Sequence, residues 1–314
     1  KDGTLADNWY LRNEFVVPPP EPEPPSPEPP NPVEPDPDLP LDPPPEELPP
    51  GTYPIIGPEL ATYGAIQPLA RELGQRTLST LHDRNGDSAL MASSQAATDN
   101  GPSSWVRVFA ATVDQSYKSF AAPEAKGNLA GFQIGGDMWQ GQWAQGHTDR
   151  FGGYLAYANA SVDVHGLVTN AEATGYEKQR TGSVGLHATS VGAYWTHYGP
   201  TGWYLDGVVQ ASSYGGSAST AFTRLEPDGT GFLASLEFGY PMELPSFGER
   251  FVLEPQVQAI RQYANFNARN DGLGPVTIGS TWGSTGRIGL RGKWEFVGHN
   301  GEQWMPYARI DVIH

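Results

Sequence analysis

The sequence predicts an all-β fold, a transmembrane antiparallel β-barrel preceded by an α-helix. Three observations carry this expectation. About nine stretches from residue 105 to residue 314 alternate side-chain character with period two. The gaps between them alternate long and short, as in a membrane barrel with turns on one side of the bilayer and loops on the other. No run of about 18 apolar residues exists, so any membrane crossing must be made by strands. A soluble sandwich or jelly roll also alternates, but has no reason to keep its long loops on one side.

Taken in order, residues 1–17 hold a strand-like aromatic piece, Asn8-Trp9-Tyr10-Leu11-Arg12, after a Gly/Asp turn. Residues 18–57 are a linker, with 18 prolines in the 33 positions from 18 to 50. Proline lacks an N–H and fixes φ, so this segment reads as an extended spacer of about 100 Å. Residues 58–84 read as a helix. Pro58 and Glu59 suit its first turn, and Leu60, Tyr63, Ile66, Leu69, Leu73, Leu78 and Leu81 recur at helical spacing. Gly64, Pro68 and Gly74 weaken or kink it. Residues 85–104 form a polar connecting segment, and the barrel strands occupy 105–314. The clearest strand sets Arg287, Gly289, Arg291, Lys293 and Glu295 against Ile288, Leu290, Gly292, Trp294 and Phe296. Residues 203–212 and 304–312 repeat the pattern. The long gaps are roughly 113–128, 160–183, 213–230 and 263–283. Trp139, Trp195, Trp203, Trp294 and Trp304 sit near strand ends, where interfacial girdles form.

Composition narrows the function classes. The formal net charge is −16, and residues 1–50, with 12 acids and two bases, carry −10 of it. The acidity therefore belongs to the tail, and no basic patch points to nucleic acid. Without cysteine there is no disulfide framework, thiol catalysis or Cys-based zinc site. The block Gly86-Asp87-Ser88-Ala89-Leu90 is reminiscent of GDSL-type esterases, but lacks a preceding strand and an Asp-x-x-His partner. The histidines are scattered and read as surface or interfacial groups. No catalytic residue, cofactor or metal is expected.

Several motifs occur in a specific order. Asn8-Trp9-Tyr10-Leu11-Arg12 precedes the proline-rich linker. Tyr53-Pro54 and Pro58-Glu59-Leu60-Ala61-Thr62-Tyr63 follow, then Leu78, Thr80-Leu81-His82-Asp83-Arg84 and Trp105-Val106-Arg107-Val108-Phe109. Gly131-Phe132-Gln133-Ile134-Gly135-Gly136-Asp137, Gly202 through Gln210, Leu253-Glu254-Pro255-Gln256 and Pro306-Tyr307-Ala308-Arg309 complete the set. This order resembles type Va autotransporters, close to the pertactin-like group, over essentially the whole chain. The resemblance implies an outer-membrane barrel of 12 strands, about nine of which fit here, with the helix running through its pore. Residues 1–17 would then be the C-terminal edge of a secreted passenger, and the chain would stop short of the last strands. The implied function is a translocator in the Gram-negative outer membrane that supports export and surface anchoring of its own N-terminal passenger. The implied partners are that passenger, outer-membrane lipids, the barrel assembly machinery and periplasmic chaperones. The rival reading is a porin-like or adhesin-like barrel whose external loops bind a ligand.

The expected functional residues line the pore. By alternation these are Arg107, Asp137, Asp206, Gln210, Glu237, Glu254, Gln256, Arg287, Arg291, Lys293, Glu295, Arg309 and Asp311. Facing Arg71, Glu72 and Arg76 of the helix, they would form a hydrated ion-pair network that positions the plug. Charge reversal at Arg71 or Arg76 is then expected to loosen it.

Overall fold

A computed structural model of the chain describes residues 14–17, 51–85, 104–244, 246, 251–294, 296–297, 303–304 and 306–313. Nine long strands make one curled antiparallel sheet. They are β1 (Ser104–Ser116), β2 (Glu124–Ala144), β3 (His147–Thr169), β4 (Tyr176–Tyr198), β5 (Tyr204–Ser219), β6 (Asp228–Gly239), β7 (Phe251–Phe266), β8 (Gly279–Trp294) and β9 (Tyr307–Ile313). Each pairs with its sequence neighbours, in the order β9 through β1, and β1 and β9 do not pair with each other among the described residues.

Burial alternates along every central strand, and the exposed face carries the apolar groups. Val108 is 79% exposed and Ile288 69%, while Arg287, Arg291 and Lys293 between such neighbours are buried. This inverts the pattern of a water-soluble protein and is what a lipid-facing wall requires. Among the described residues no helix is long and apolar enough to cross a membrane.

The expected long loops are a correction. The connections on that side are only 117–123, 170–175, 220–227 and 267–278, and on the opposite side the described turns are 145–146 and 199–203. The missing loop residues are strand: β3 and β4 each run for 23 residues. At these ends the inner face turns apolar, with Val162, Val164 and Val184 buried, while the outer face turns polar at Asp163 and Arg180, so the ladder continues where the polar-in, apolar-out signature reverses.

The helix is also broken. It comprises α1 (Pro58–Gly64), α2 (Ile66–Arg76) and α3 (Leu81–Asn85). The first break, at Ala65, falls where the Pro68 ring would otherwise crowd the carbonyl of Gly64. All three pieces lie inside the curl of the sheet. The Ile56 N–H bonds Thr169 Oγ1 at one end of the barrel, the entry end, and Arg84 meets Thr196 and Asp206 towards the other.

Before the helix, Glu14–Val17 pairs antiparallel with Gly51–Pro54, with Val17 opposite Gly51. This ribbon crosses the expected boundaries of the 1–17 edge and the 18–57 linker. Residues 18–50, where the extended spacer is expected, and residues 1–13 lie outside the described residues. Flanking residues with strand preference, such as Phe15, Val16, Thr52 and Tyr53, are what pair.

Candidate functional site

The lumen has two chemically distinct halves, and the helix matches each. In the entry half, Ile66, Leu69 and Leu73 are fully buried against Ala158, Ala160, Val162, Val184 and Ala188 of β3 and β4. Each large side chain so buried contributes about 1.5–3 kcal/mol. The expectation of a wholly polar wall is therefore corrected on this side. Alanines on the inner face let the helix approach closely. Close approach also explains two glycines. A Cβ on Gly74 would lie 2.4 Å from Gln262 Nε2, and one on Gly283 would lie 2.0 Å from the Arg71 guanidinium.

The rest of α2 is held by amides. Gln262 Nε2 donates to the Arg71 carbonyl at 3.0 Å, and Gln210 Nε2 to the Gly74 carbonyl at 3.1 Å. Gln133 Nε2 donates to the Thr77 carbonyl at 2.6 Å. From the helix, Gln67 donates to the carbonyls of Ile278 and Gly279, and Gln75 to Thr285 Oγ1. The Gly74 and Thr77 carbonyls are among those that the helix leaves open at its C-terminal end, where the chain turns out of α2, and Gln262 gives the Arg71 carbonyl a second donor.

The far half is an ionic clasp built on α3. Arg84 is buried and pairs with Asp206, which also accepts from Thr196 Oγ1 at 2.6 Å. Arg84 also donates to the Ser79 carbonyl and lies 3.9 Å from the centre of the Tyr194 ring. Asp83 meets Arg107 at 3.1 Å, and Arg107 in turn donates to Gln133 Oε1 at 2.9 Å. His82 bridges two strands: Arg291 lies 2.8 Å from its Nδ1, and Glu254 lies 2.9 Å from its Nε2. Arginine can only donate, so Nδ1 is the acceptor and Nε2–H donates to Glu254. Tyr204 lies beneath, its hydroxyl 2.8 Å from Glu237 and 2.9 Å from Glu254, and Arg287 closes the chain onto Glu237 at 2.8 Å. The Gln256 amide stands 2.8 Å from His82 Nε2.

A strand wall with lipid-type exposure outside and a helix clasped inside has counterparts among known proteins. Residues 104–314 match the family described as the autotransporter beta-domain. This chain belongs to that family. The β-domain of the Bordetella autotransporter BrkA is 24% identical, covering 68% of this chain and 79% of its own, with a TM-score of 0.52. The transport unit of the Escherichia coli autotransporter AIDA-I is 18% identical, covering 82% and 80%, with a TM-score of 0.58. At these identities both likenesses speak to the fold. The autotransporter chain is thus an outer-membrane translocator of the Gram-negative type, serving export of its own passenger.

Of the sequence-predicted residues in this autotransporter lumen, Asp206, Gln210, Glu254, Gln256, Arg291 and Arg107 meet the helix directly. Glu237 and Arg287 back the Tyr204–Glu254 pair. Lys293 is buried on the same inner face. Others are tied within the wall. Asp137 accepts from Tyr194 and pairs with Arg150, and Arg309 pairs with Asp311 along the open edge β9. Glu295 and the Gly86–Leu90 block lie outside the described residues.

The helix side departs most from expectation. Glu72 and Arg76 pair with each other at 2.7 Å, and Arg76 is half exposed. Glu72 also accepts from Gln115, and the Arg71 guanidinium lies against Gly283. The charges that grip the wall are His82, Asp83 and Arg84, which sequence reasoning passed over. Their signal was in plain view, three consecutive ionisable residues after Leu81 in an otherwise amphipathic stretch. A second correction concerns the histidines: His82 is central to the clasp, and His147 and His197 pair at 3.1 Å beside Asp149.

Proposed function

We infer that the α3 clasp is the closure of the secretion pore, and that the amide-held α2 is its plug. The entry end then faces the cell exterior, because the exported passenger precedes the linker and the linker leads into α1. Residues 1–17 are read as the passenger edge and 18–57 as the linker, with 58–84 plugging the barrel of 105–314. The lumen residues position the helix and carry no catalysis; nothing in the clasp offers a nucleophile beside a free base. Insertion of such a wall, polar inside and apolar outside, calls on the outer-membrane assembly machinery and on periplasmic chaperones that hold the unfolded chain.

The observation that carries this reading is the buried Arg84–Asp206 pair, with both side chains at most 2% exposed. A porin-like barrel gains nothing by burying an ion pair across its own lumen. The test is ion conductance of the protein in planar bilayers, comparing wild type with the triple variant His82→Ala, Asp83→Ala, Arg84→Ala. Frequent open events are expected in the variant. A triple variant as silent as wild type would remove the clasp from the closing mechanism.

A further inference from the structure

Among the described residues, the outer surface of the barrel carries one charge that lipid solvation does not account for. Arg261 projects outward from β7, next to Ala234 on β6 and Ser284 on β8. Other outward charges sit near the entry ends of their strands and are paired, as Asp163 with Arg180 and Asp114 with Lys126. Arg261 has no acidic partner among the described residues. Its guanidinium lies 4.9 Å from the centre of the Trp282 ring, and it donates to Ser284 Oγ. An arginine facing hydrocarbon is costly, and least so near the interface.

The surroundings give the charge a use. On the side of Arg261 away from the entry end, a groove of about 790 Å³ indents the outer wall, bounded by Phe151, Trp195, Val209 and Leu236. That size lies within the roughly 300–1,000 Å³ of small-molecule sites. Its floor is nearly bare: a Cβ on Gly286 would meet no atom within 4 Å. On the other side of Arg261 stands the outward row Phe232, Tyr263 and Trp282, with the Tyr263 and Trp282 rings 4.8 Å apart. Aromatics of this kind mark the headgroup level. One row further out come Thr230, Asn265 and Ser280, which offer hydroxyls and an amide.

We propose that this groove holds an acyl chain of a phosphorylated glycolipid of the outer leaflet, with the lipid phosphate on Arg261. Guanidinium suits phosphate because its planar fork donates two parallel hydrogen bonds. The cation already lies against Trp282, so little side-chain freedom is lost on binding. The polar row beyond the aromatics matches a sugar headgroup better than a bare glycerol one. Placement in the outer leaflet rests on the orientation inferred above; the lipid contact itself does not.

The test uses the full chain, extracted from outer membranes in mild detergent and offered bisphosphorylated lipid A, its dephosphorylated form and phosphatidylglycerol. Retained lipid is counted by native mass spectrometry, and heat-modifiable mobility confirms that each variant is folded. Wild type is expected to prefer the bisphosphorylated over the dephosphorylated form about tenfold, the effect of one charge-assisted hydrogen bond. Arg261→Gln is expected to lose that preference, and Gly286→Trp to lose retention of both forms by filling the groove. If Gly286→Trp does not assemble, Ala259→Phe fills the same floor. No preference in wild type, or an unchanged one in Arg261→Gln, overturns the proposal. So does a preference for phosphatidylglycerol, or a dimer that occupies the groove and disappears in Gly286→Trp. Protease access to the linker on intact cells tests the orientation separately.

Discussion

Replacing Arg84 with methionine is the sharpest perturbation of the clasp. Methionine keeps most of the side-chain volume and removes the charge. The pair is buried, with Arg84 1% and Asp206 2% exposed, so solvent screening does little to reduce the effect. Asp206 would keep only the Thr196 hydroxyl, and the Ser79 carbonyl would lose its donor. Removing one partner of a buried pair costs about 3–5 kcal/mol, chiefly because the other charge is stranded. At about 1.4 kcal/mol per factor of ten, release of α3 should become easier by roughly two to three and a half orders of magnitude. Single-channel recording reads this as open probability. The companion variant, Arg84→Met with Asp206→Leu, removes both charges and should recover most of the closure, since replacing a buried pair by apolar groups is often neutral. A folded Arg84→Met barrel with wild-type open probability would refute this reasoning. A double variant no tighter than the single one would show that stranding of Asp206 is not the cause.

Three further outcomes are expected. Arg76→Glu should leave conductance close to wild type, because an exposed i, i+4 pair is worth only about 0.3–0.5 kcal/mol; a leaky variant would return the plug contacts to α2. Leu290→Arg, placing a cation in lipid, should lower the amount of assembled barrel by a cost of about 2–4 kcal/mol near midplane. Gly289→Arg faces the lumen beside Asp311 and should assemble better, as heat-modifiable mobility will show; equal yields would reverse the assigned faces. The third concerns Asp271 in the loop before β8. Burial pushes its carboxyl up, but the N–H groups of Leu273 and Gly274 and the Tyr63 hydroxyl outweigh it, so its pKa is lowered. A lowered folded value means the stabilisation is present above the usual carboxylate range and is lost as pH falls through the folded value. Hydrogen-exchange protection at Leu273 and Gly274, taken relative to the intrinsic rate at each pH, should therefore be present at neutral pH and lost in strong acid, with Asp271→Ala unprotected throughout. Protection independent of pH in wild type would dismiss the carboxylate as the loop anchor.

Legibility differed by element. All nine strands were readable, because lipid outside and water inside force a polar–apolar alternation that a sequence carries openly. Strand ends were not, since there Val162, Val164 and Val184 are buried inward and Asp163 and Arg180 stand outward, so the polar-in, apolar-out signature reverses while the ladder continues. The inward polar residues were legible one strand at a time. Asp206, Gln210 and Glu254 all face inward, and no local pattern says which of them meets Arg84, Gly74 or His82. The apolar bed under α2 was hidden because β3 carries apolar groups on both faces there, Val162 inward and Leu155 and Tyr157 outward.

The sequence by itself determined the strand count, the face of each strand and a helix ahead of them, because each follows from periodicity over neighbouring residues. It also held the ordered motifs by which the family is recognised. Only the tertiary structure decided where the helix breaks, and that α3 rather than α2 is gripped. His82 and Glu254 are 172 positions apart and 2.9 Å apart in space. Their meeting depends on how far each strand is staggered around the barrel. That stagger is set by the summed register of many ladders, and no single stretch of sequence contains it.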